Sequence, residues 1–79
     1  MQQTKDEHLL DTRSQLCPMP VILASQAINR LPPQAVLKIL SSDPGSWADI
    51  PAWAEASGHQ LLAKERDGKG LFTFRVKRA

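Results

Sequence analysis

A single cysteine, Cys17, stands in the 79 residues. It has no second thiol with which to close a disulfide, and a secreted chain this short ordinarily needs several bridges to hold its fold. The composition is that of a protein from a reducing compartment, and a cytoplasmic location is the expectation. Long apolar runs are missing as well. No stretch approaches the roughly 18 residues of a membrane span, and the polar opening Met1-Gln2-Gln3-Thr4-Lys5 lacks the apolar centre of a signal peptide. One cysteine with His8 and His59 falls short of the three or four ligands of a zinc site, so no metal is expected. There is no glycine-rich phosphate loop after a strand, no Ser/His/Asp set recognisable from spacing and no internal repeat. Asp43 and Asp49 flank a turn without visible convergence. Neither a cofactor nor independent catalytic turnover is expected.

What is present is an ordinary globular composition, 42% hydrophobic and 23% charged, in a length that supports one domain spanning residues 1–79. The net charge of +2 is mild, but five of the ten basic residues, Arg66, Lys69, Arg75, Lys77 and Arg78, fall in the last fourteen positions. Such a patch suits a solvated strand face and tail, and it also suits RNA or an acidic protein.

Residues 1–7 are polar, without periodicity, and read as a flexible terminus. His8 to Arg13 forms a short strand-like stretch around Leu9 and Leu10. After Cys17-Pro18-Met19-Pro20, the residues Val21, Ala24, Ile28 and Leu31 recur at spacings of three and four, which predicts an amphipathic helix from Pro18 to Arg30. Pro18 and Pro20 fit N1 and N3 of its first turn, where no backbone N–H is needed. Pro32-Pro33 ends it. Residues 35–40, Ala-Val-Leu-Lys-Ile-Leu, predict a central strand. Asp43-Pro44 then signals a second helical start and Gly58 its stop, with Ile50, Trp53, Ala54 and Ser57 on one face. Pro51 sits awkwardly in a continuous helix, and the tidier reading takes Asp49 as a second cap with Pro51 in a new first turn. His59–Arg66 and Leu71–Lys77 read as strands joined by the turn Asp67-Gly68-Lys69-Gly70. In the last of them Phe72, Phe74 and Val76 face one way. The order β-α-β-α-β-β predicts an α+β fold, a two-layer α/β sandwich with a mixed four-stranded sheet and two helices on one face.

Cys17 carries whatever chemistry the chain has. A free cysteine is most often a small buried hydrophobe, but Pro-x-Pro directly behind it at a helix start makes this a presented position. At the N-cap its sulfur would meet free N–H groups and the positive end of the helix dipole, which favours the thiolate. Pro18 and Pro20 stiffen the backbone beneath it and shape the site. Without a second cysteine it cannot form a Cys-x-x-Cys redox pair, and any disulfide must be with another molecule. A one-cysteine exchange role remains: handing on a sulfur atom or other adduct, or forming a mixed disulfide with a partner. Asp43 has a plain explanation as the cap of the second helix.

Leu10-Asp11, Cys17-Pro18-Met19-Pro20, Ser42-Asp43-Pro44 with Asp49-Ile50-Pro51, and Gly58-His59 together resemble the motif order of the TusA/SirA sulfur-carrier family, from about residue 9 to the end. The resemblance implies the same β-α-β-α-β-β sandwich, similar to the C-terminal domain of translation initiation factor three. It implies that Cys17 accepts a persulfide sulfur from a donor such as a cysteine desulfurase and relays it to an acceptor protein, as a sulfurtransferase-like carrier. In relatives the destination is tRNA thiolation, molybdenum-cofactor-related proteins or sulfur oxidation. The family counterpart of Asp43 lies near the cysteine loop, which makes Asp43 a secondary partner-contact candidate. The chain departs from the family at Ser14, usually glycine, and Gln15, usually leucine, so the approach to the site is expected to bend differently. Helix one, with Ser25 and Asn29, lacks the basic residues many relatives carry there, which argues against tRNA thiolation. The other readings are a thiol-dependent regulatory protein-binding module without sulfur transfer, including redox regulation, and a basic RNA-associated module. Direct nucleic-acid binding is not the expectation.

Overall fold

The computed structural model describes residues 7–79. The chain runs β1 (Glu7–Asp11), α1 (Met19–Ile28), β2 (Val36–Ser41), α2 (Ser46–Ala56), β3 (Gln60–Arg66) and β4 (Phe72–Lys77). The sheet order is β1-β2-β4-β3, with β1 parallel to β2 and the other neighbours antiparallel. The predicted order and class are those observed. The expectation of a flexible start lies outside the described residues except at Glu7, which is corrected: it is the first residue of β1, paired with Val36.

Alternation decides which face of the sheet is covered. Leu37 and Ile39 of β2 stand opposite Val76 and Phe74 of β4, so all four project to one side. There they meet Ala24 and Ile28 of α1 and Ile50 and Ala54 of α2 in one buried cluster. Both helices therefore pack on the same face. Fully burying a side chain such as Phe74 or Ile50 is worth roughly 1.5–3 kcal/mol, which makes this cluster the main source of stability. A bulge at Leu62 shifts the register of β3 between Leu61 and Ala63, after which Lys64 and Arg66 lie opposite Phe74 and Phe72.

Two helix boundaries differ from expectation. α1 begins at Met19, with Pro18 as the N-cap and Pro20 at the second helical position, one place later than the spacing suggested. At its other end, tighter turns from Arg30 to Ala27 (3.0 Å) and from Leu31 to Ile28 (3.1 Å) replace the last helical turn before Pro32. α2 is a single helix from Ser46 to Ala56 with Pro51 inside it, so the second cap at Asp49 does not exist. Pro51 leaves the carbonyl of Trp47 without its helical donor. The ammonium of Lys64, on the neighbouring strand, reaches that carbonyl at 3.5 Å while lying 4.1 Å from the centre of the Trp47 ring. The deleted hydrogen bond is made up from β3, by tertiary contact that spacing cannot show.

The stop at Gly58 is as read. Its φ of 81° is left-handed, its N–H reaches Glu55 at 3.2 Å and that of His59 reaches Ala54 at 2.9 Å, the paired bonds of a Schellman end. The β3–β4 turn is held by Asp67, whose Oδ1 accepts the N–H groups of Lys69 (2.7 Å) and Leu71 (3.0 Å). Those two bonds hold the Asp67 carboxyl below its ordinary range.

Candidate functional site

The ends of β1 and β2 lie side by side, and the loops that leave them are tied together. The buried Thr12 donates both its N–H (2.8 Å) and its hydroxyl (2.6 Å) to the carbonyl of Leu40. Ser14 N–H donates to Ser42 Oγ at 3.0 Å. The buried Ser41 and Ser46 hydroxyls share a bond of 2.7 Å across the start of α2, and Asp43 N–H donates to Ser41 Oγ at 3.1 Å. The first loop thus rests on the second, and the second is locked to its helix.

Cys17 sits at the top of this arrangement and is exposed. The two prolines behind it differ in role: Pro20 is fully buried and anchors the start of α1 to the core, while Pro18 is exposed and joined to Cys17 by a cis peptide bond. Cys17 N–H donates to Asp43 Oδ2 at 2.8 Å, and its Sγ–H donates to Asp49 Oδ2 at 3.0 Å. Gly45 permits the approach, because a Cβ there would lie 3.3 Å from Asp43 Oδ2 and 3.7 Å from the Cβ of Cys17.

Three expectations are corrected by this geometry. Asp43 makes no side-chain cap of α2. Its second oxygen only approaches the N–H of Gly45, at 3.4 Å, and its main bond goes to the cysteine loop. Asp43 and Asp49 do converge, on Cys17. Cys17 is one residue outside the N-cap, and its thiol is raised above its ordinary pKa, first by the hydrogen bond to Asp49, then by desolvation and by the charges of Asp49 and Asp43. A full negative charge in contact with the sulfur outweighs a helix terminus equivalent to about half an elementary charge. The carboxylates favour the thiol form of Cys17, the opposite direction from the one expected of the helix start.

Asp49 is the residue that sequence reasoning missed. Its only signal was the Asp-Ile-Pro block at a fixed distance after Asp43-Pro44. Missed too was the apolar fringe around the cysteine: Leu16 is 73% exposed, Ile22 40% and Met19 36%. Met19 and Ile22, three apart, share one face of α1 beside Pro18. The carboxylate of Asp11, in the Leu-Asp motif, is hydrogen-bonded to Arg13. The Arg13 guanidinium beside it, at 2.6 Å, and the Arg13 N–H hold its carboxyl at about 2, which fixes the bend at the end of β1.

At Ser14 the φ of 73° lies in the left-handed region that glycine adopts freely, so the serine takes up the conformation a glycine would supply. Part of the basic end of the chain is engaged. Arg75 approaches Glu7 at 3.5 Å, and Arg78 donates to the carbonyl of Leu31. His59 packs against Trp53 with the rings tilted by 52° and accepts the N–H of Ala79 at 3.1 Å, away from the cysteine loop in sequence. Among the described residues no helix is long and apolar enough to cross a membrane.

A mixed four-stranded sheet with two helices on one face, lifting a lone cysteine beside two carboxylates, defines an open α/β sandwich with a one-thiol site. The chain belongs to the TusA family: the family model described as sulfurtransferase TusA matches residues 8–78. It is 33% identical over 70 residues to the sulfur carrier protein TusA of Allochromatium vinosum, covering 89% of this chain and 91% of that one. It is 40% identical over 72 residues to a putative sulfur carrier protein of Aquifex aeolicus, covering 90% of this chain. The chain spans 36% of the Aquifex protein's length. Among solved structures, the SirA-like protein of Desulfitobacterium hafniense superposes with a TM-score of 0.78 at 26% identity, covering 87% of this chain and 93% of that one.

Proposed function

We propose that this chain is a sulfur carrier in which Cys17 takes up a sulfane sulfur from a donor protein, such as a cysteine desulfurase, and relays it to an acceptor protein. The observation that carries this reading is the exposed Cys17 thiol on a braced loop, with no other thiol in the chain to which a sulfur atom could be passed internally. Loading breaks the sulfur–sulfur bond of the donor persulfide and forms one to Cys17 Sγ, while the donor leaves as a thiol. Unloading repeats the exchange in the opposite sense. The sulfur stays at one oxidation level throughout, so neither step needs an oxidant, and the reducing cytoplasm is a suitable setting.

Pro18 and Pro20 shape the loop on which the sulfur travels, and Leu16, Met19 and Ile22 form an apolar fringe against which both partners dock in turn. Asp43 contacts the partner from the other side of the thiol. The chain acts by being visited and turns over no substrate alone.

Incubation with a cysteine desulfurase and cysteine, followed by intact mass measurement, tests the proposal. A carrier gains sulfur-sized increments that reductant removes and that Cys17→Ser lacks. Partner binding that depends on Cys17 without any such increment supports the regulatory module instead. Salt-sensitive RNA binding unaffected by Cys17→Ser supports the RNA-associated one.

A further inference from the structure

The Sγ of Cys17 has one hydrogen-bond partner among the described residues, Asp49 Oδ2 at 3.0 Å, and Asp49 has no other side-chain bond there. We propose that Asp49 is the positioning residue of the carrier cycle: it holds the empty Cys17 as a hydrogen-bonded thiol and turns the loaded sulfur outward. The loaded half of this proposal rests on the sulfur-carrier reading.

An ionised carboxylate only accepts hydrogen bonds. Beside Asp49, therefore, Sγ is favoured as S–H and disfavoured as an anion. Among the described residues the charged groups acting on the thiol are Asp49 from α2 and Asp43 from the β2–α2 loop, and no cation is among them. Asp43 is already engaged by the N–H of Cys17, so Asp49 alone meets the proton. The four-residue setback of Asp49 into α2 matters, because it aims the carboxylate at the side chain while Asp43 holds the backbone.

Loading reverses that contact. The donor's terminal sulfur, as S–SH, forms its new bond to Sγ. The donor's sulfur–sulfur bond breaks, and the Sγ proton goes to the departing donor sulfur. The products are the donor thiol and Cys17 bearing S–SH, with every atom and electron pair accounted for. Sγ now has no proton to offer Asp49. The terminal sulfur is more acidic than a thiol and gives up its proton to solvent water, and as an anion it is repelled by Asp49 and Asp43 alike. It swings away from both carboxylates to the side from which an acceptor can reach it. One carboxylate thereby distinguishes empty from loaded carrier without a conformational change in the fold.

The test uses the full chain and two readouts. The first is the pH profile of Cys17 alkylation by iodoacetamide in wild type, Asp49→Asn, Asp49→Glu and Asp43→Asn. Asp49→Asn is expected to move the midpoint to lower pH and to speed alkylation several-fold near neutral pH, because its amide can donate to a thiolate. Asp49→Glu retains a carboxylate and stays near wild type, and Asp43→Asn shifts less than Asp49→Asn. A merely structural role for Asp49 moves none of these midpoints selectively. The second is the rate at which cyanide strips sulfur, as thiocyanate, from protein loaded with inorganic polysulfide. Stripping is expected to be several-fold slower in Asp49→Asn, whose loaded sulfur is no longer turned outward. An alkylation midpoint in Asp49→Asn equal to or above that of wild type overturns the proposal, whatever Cys17 carries. Stripping as fast as in wild type overturns its loaded half. Wild-type protein that takes up no sulfur from polysulfide or from a desulfurase overturns the carrier reading and that loaded half, while the alkylation midpoint still decides the thiol half.

Discussion

Asp43 joins two loops that are far apart in sequence: its Oδ2 accepts the backbone N–H of Cys17 at 2.8 Å from the opposite side of the Gly45 gap. A hydrogen bond to a charged acceptor is worth about 1.5–3 kcal/mol when shielded and less at an exposed site such as this. We expect Asp43→Ala to lower stability by about 1 kcal/mol in denaturant titrations and to speed amide exchange at Cys17. Exchange at Cys17 unchanged from wild type would contradict the bracing role given to Asp43.

Lys64 substitutes for the donor that Pro51 deletes, and it covers the Trp47 ring together with Arg66, 5.0 Å from the ring centre. An exposed cation–π contact is worth about 0.5–1 kcal/mol, and a long, solvent-exposed hydrogen bond from the ammonium adds about as much at most. Lys64→Met is expected to cost about 1 kcal/mol in the native chain. In a Pro51→Ala background, which restores the backbone N–H, the same change should cost less. Equal costs in the two backgrounds, measured as a double-mutant cycle, would show that Lys64 and Pro51 are not coupled.

Ser14 and Gln34 hold φ of 73° and 75°, positions where a side chain costs about 1–2 kcal/mol relative to glycine's free access. Glycine returns part of that in unfolded-chain entropy. Ser14→Gly and Gln34→Gly are each expected to raise stability by about 0.5–1 kcal/mol, read as an increase in Tm. A decrease at both positions would mean that neither residue bears backbone strain.

His59 is pushed below its usual 6.5, first by burial and then by the charge of Arg78. The neutral ring is the form the fold prefers. Its contribution is therefore complete above the ordinary imidazole value and is lost as pH falls from there through the folded-state value. Denaturation midpoints should decline across that window in wild type and decline less in His59→Gln. Parallel pH profiles would remove His59 from the account.

The sandwich was legible because its signals are local or periodic. Phe72, Phe74 and Val76 alternate, Ala24 and Ile28 repeat at helical spacing, and Gly58 and Asp67-Gly68 carry their own turn chemistry. Cys17 was legible for the same reason, since Pro18 and Pro20 mark a helix start directly behind it. Its chemistry was not. The helix dipole can be read from adjacent residues, but Asp43 reaches the amide of Cys17 and Asp49 its thiol across 26 and 32 residues, through the parallel pairing of β1 with β2 that brings the two loops together. Pro51 misled for a related reason, because its missing donor is replaced from β3. Both of these failures lie where a tertiary contact overrides a rule that holds for a helix alone.

The most direct measurement is peptide mapping by mass spectrometry after exposure of the purified chain to a stoichiometric persulfide donor, followed by a chase with an acceptor thiol. The account predicts one additional sulfur on the peptide that contains Cys17, lost to the acceptor during the chase and never seen in Cys17→Ser. Sulfur found on other peptides, retained through the chase, or gained equally by Cys17→Ser would contradict it.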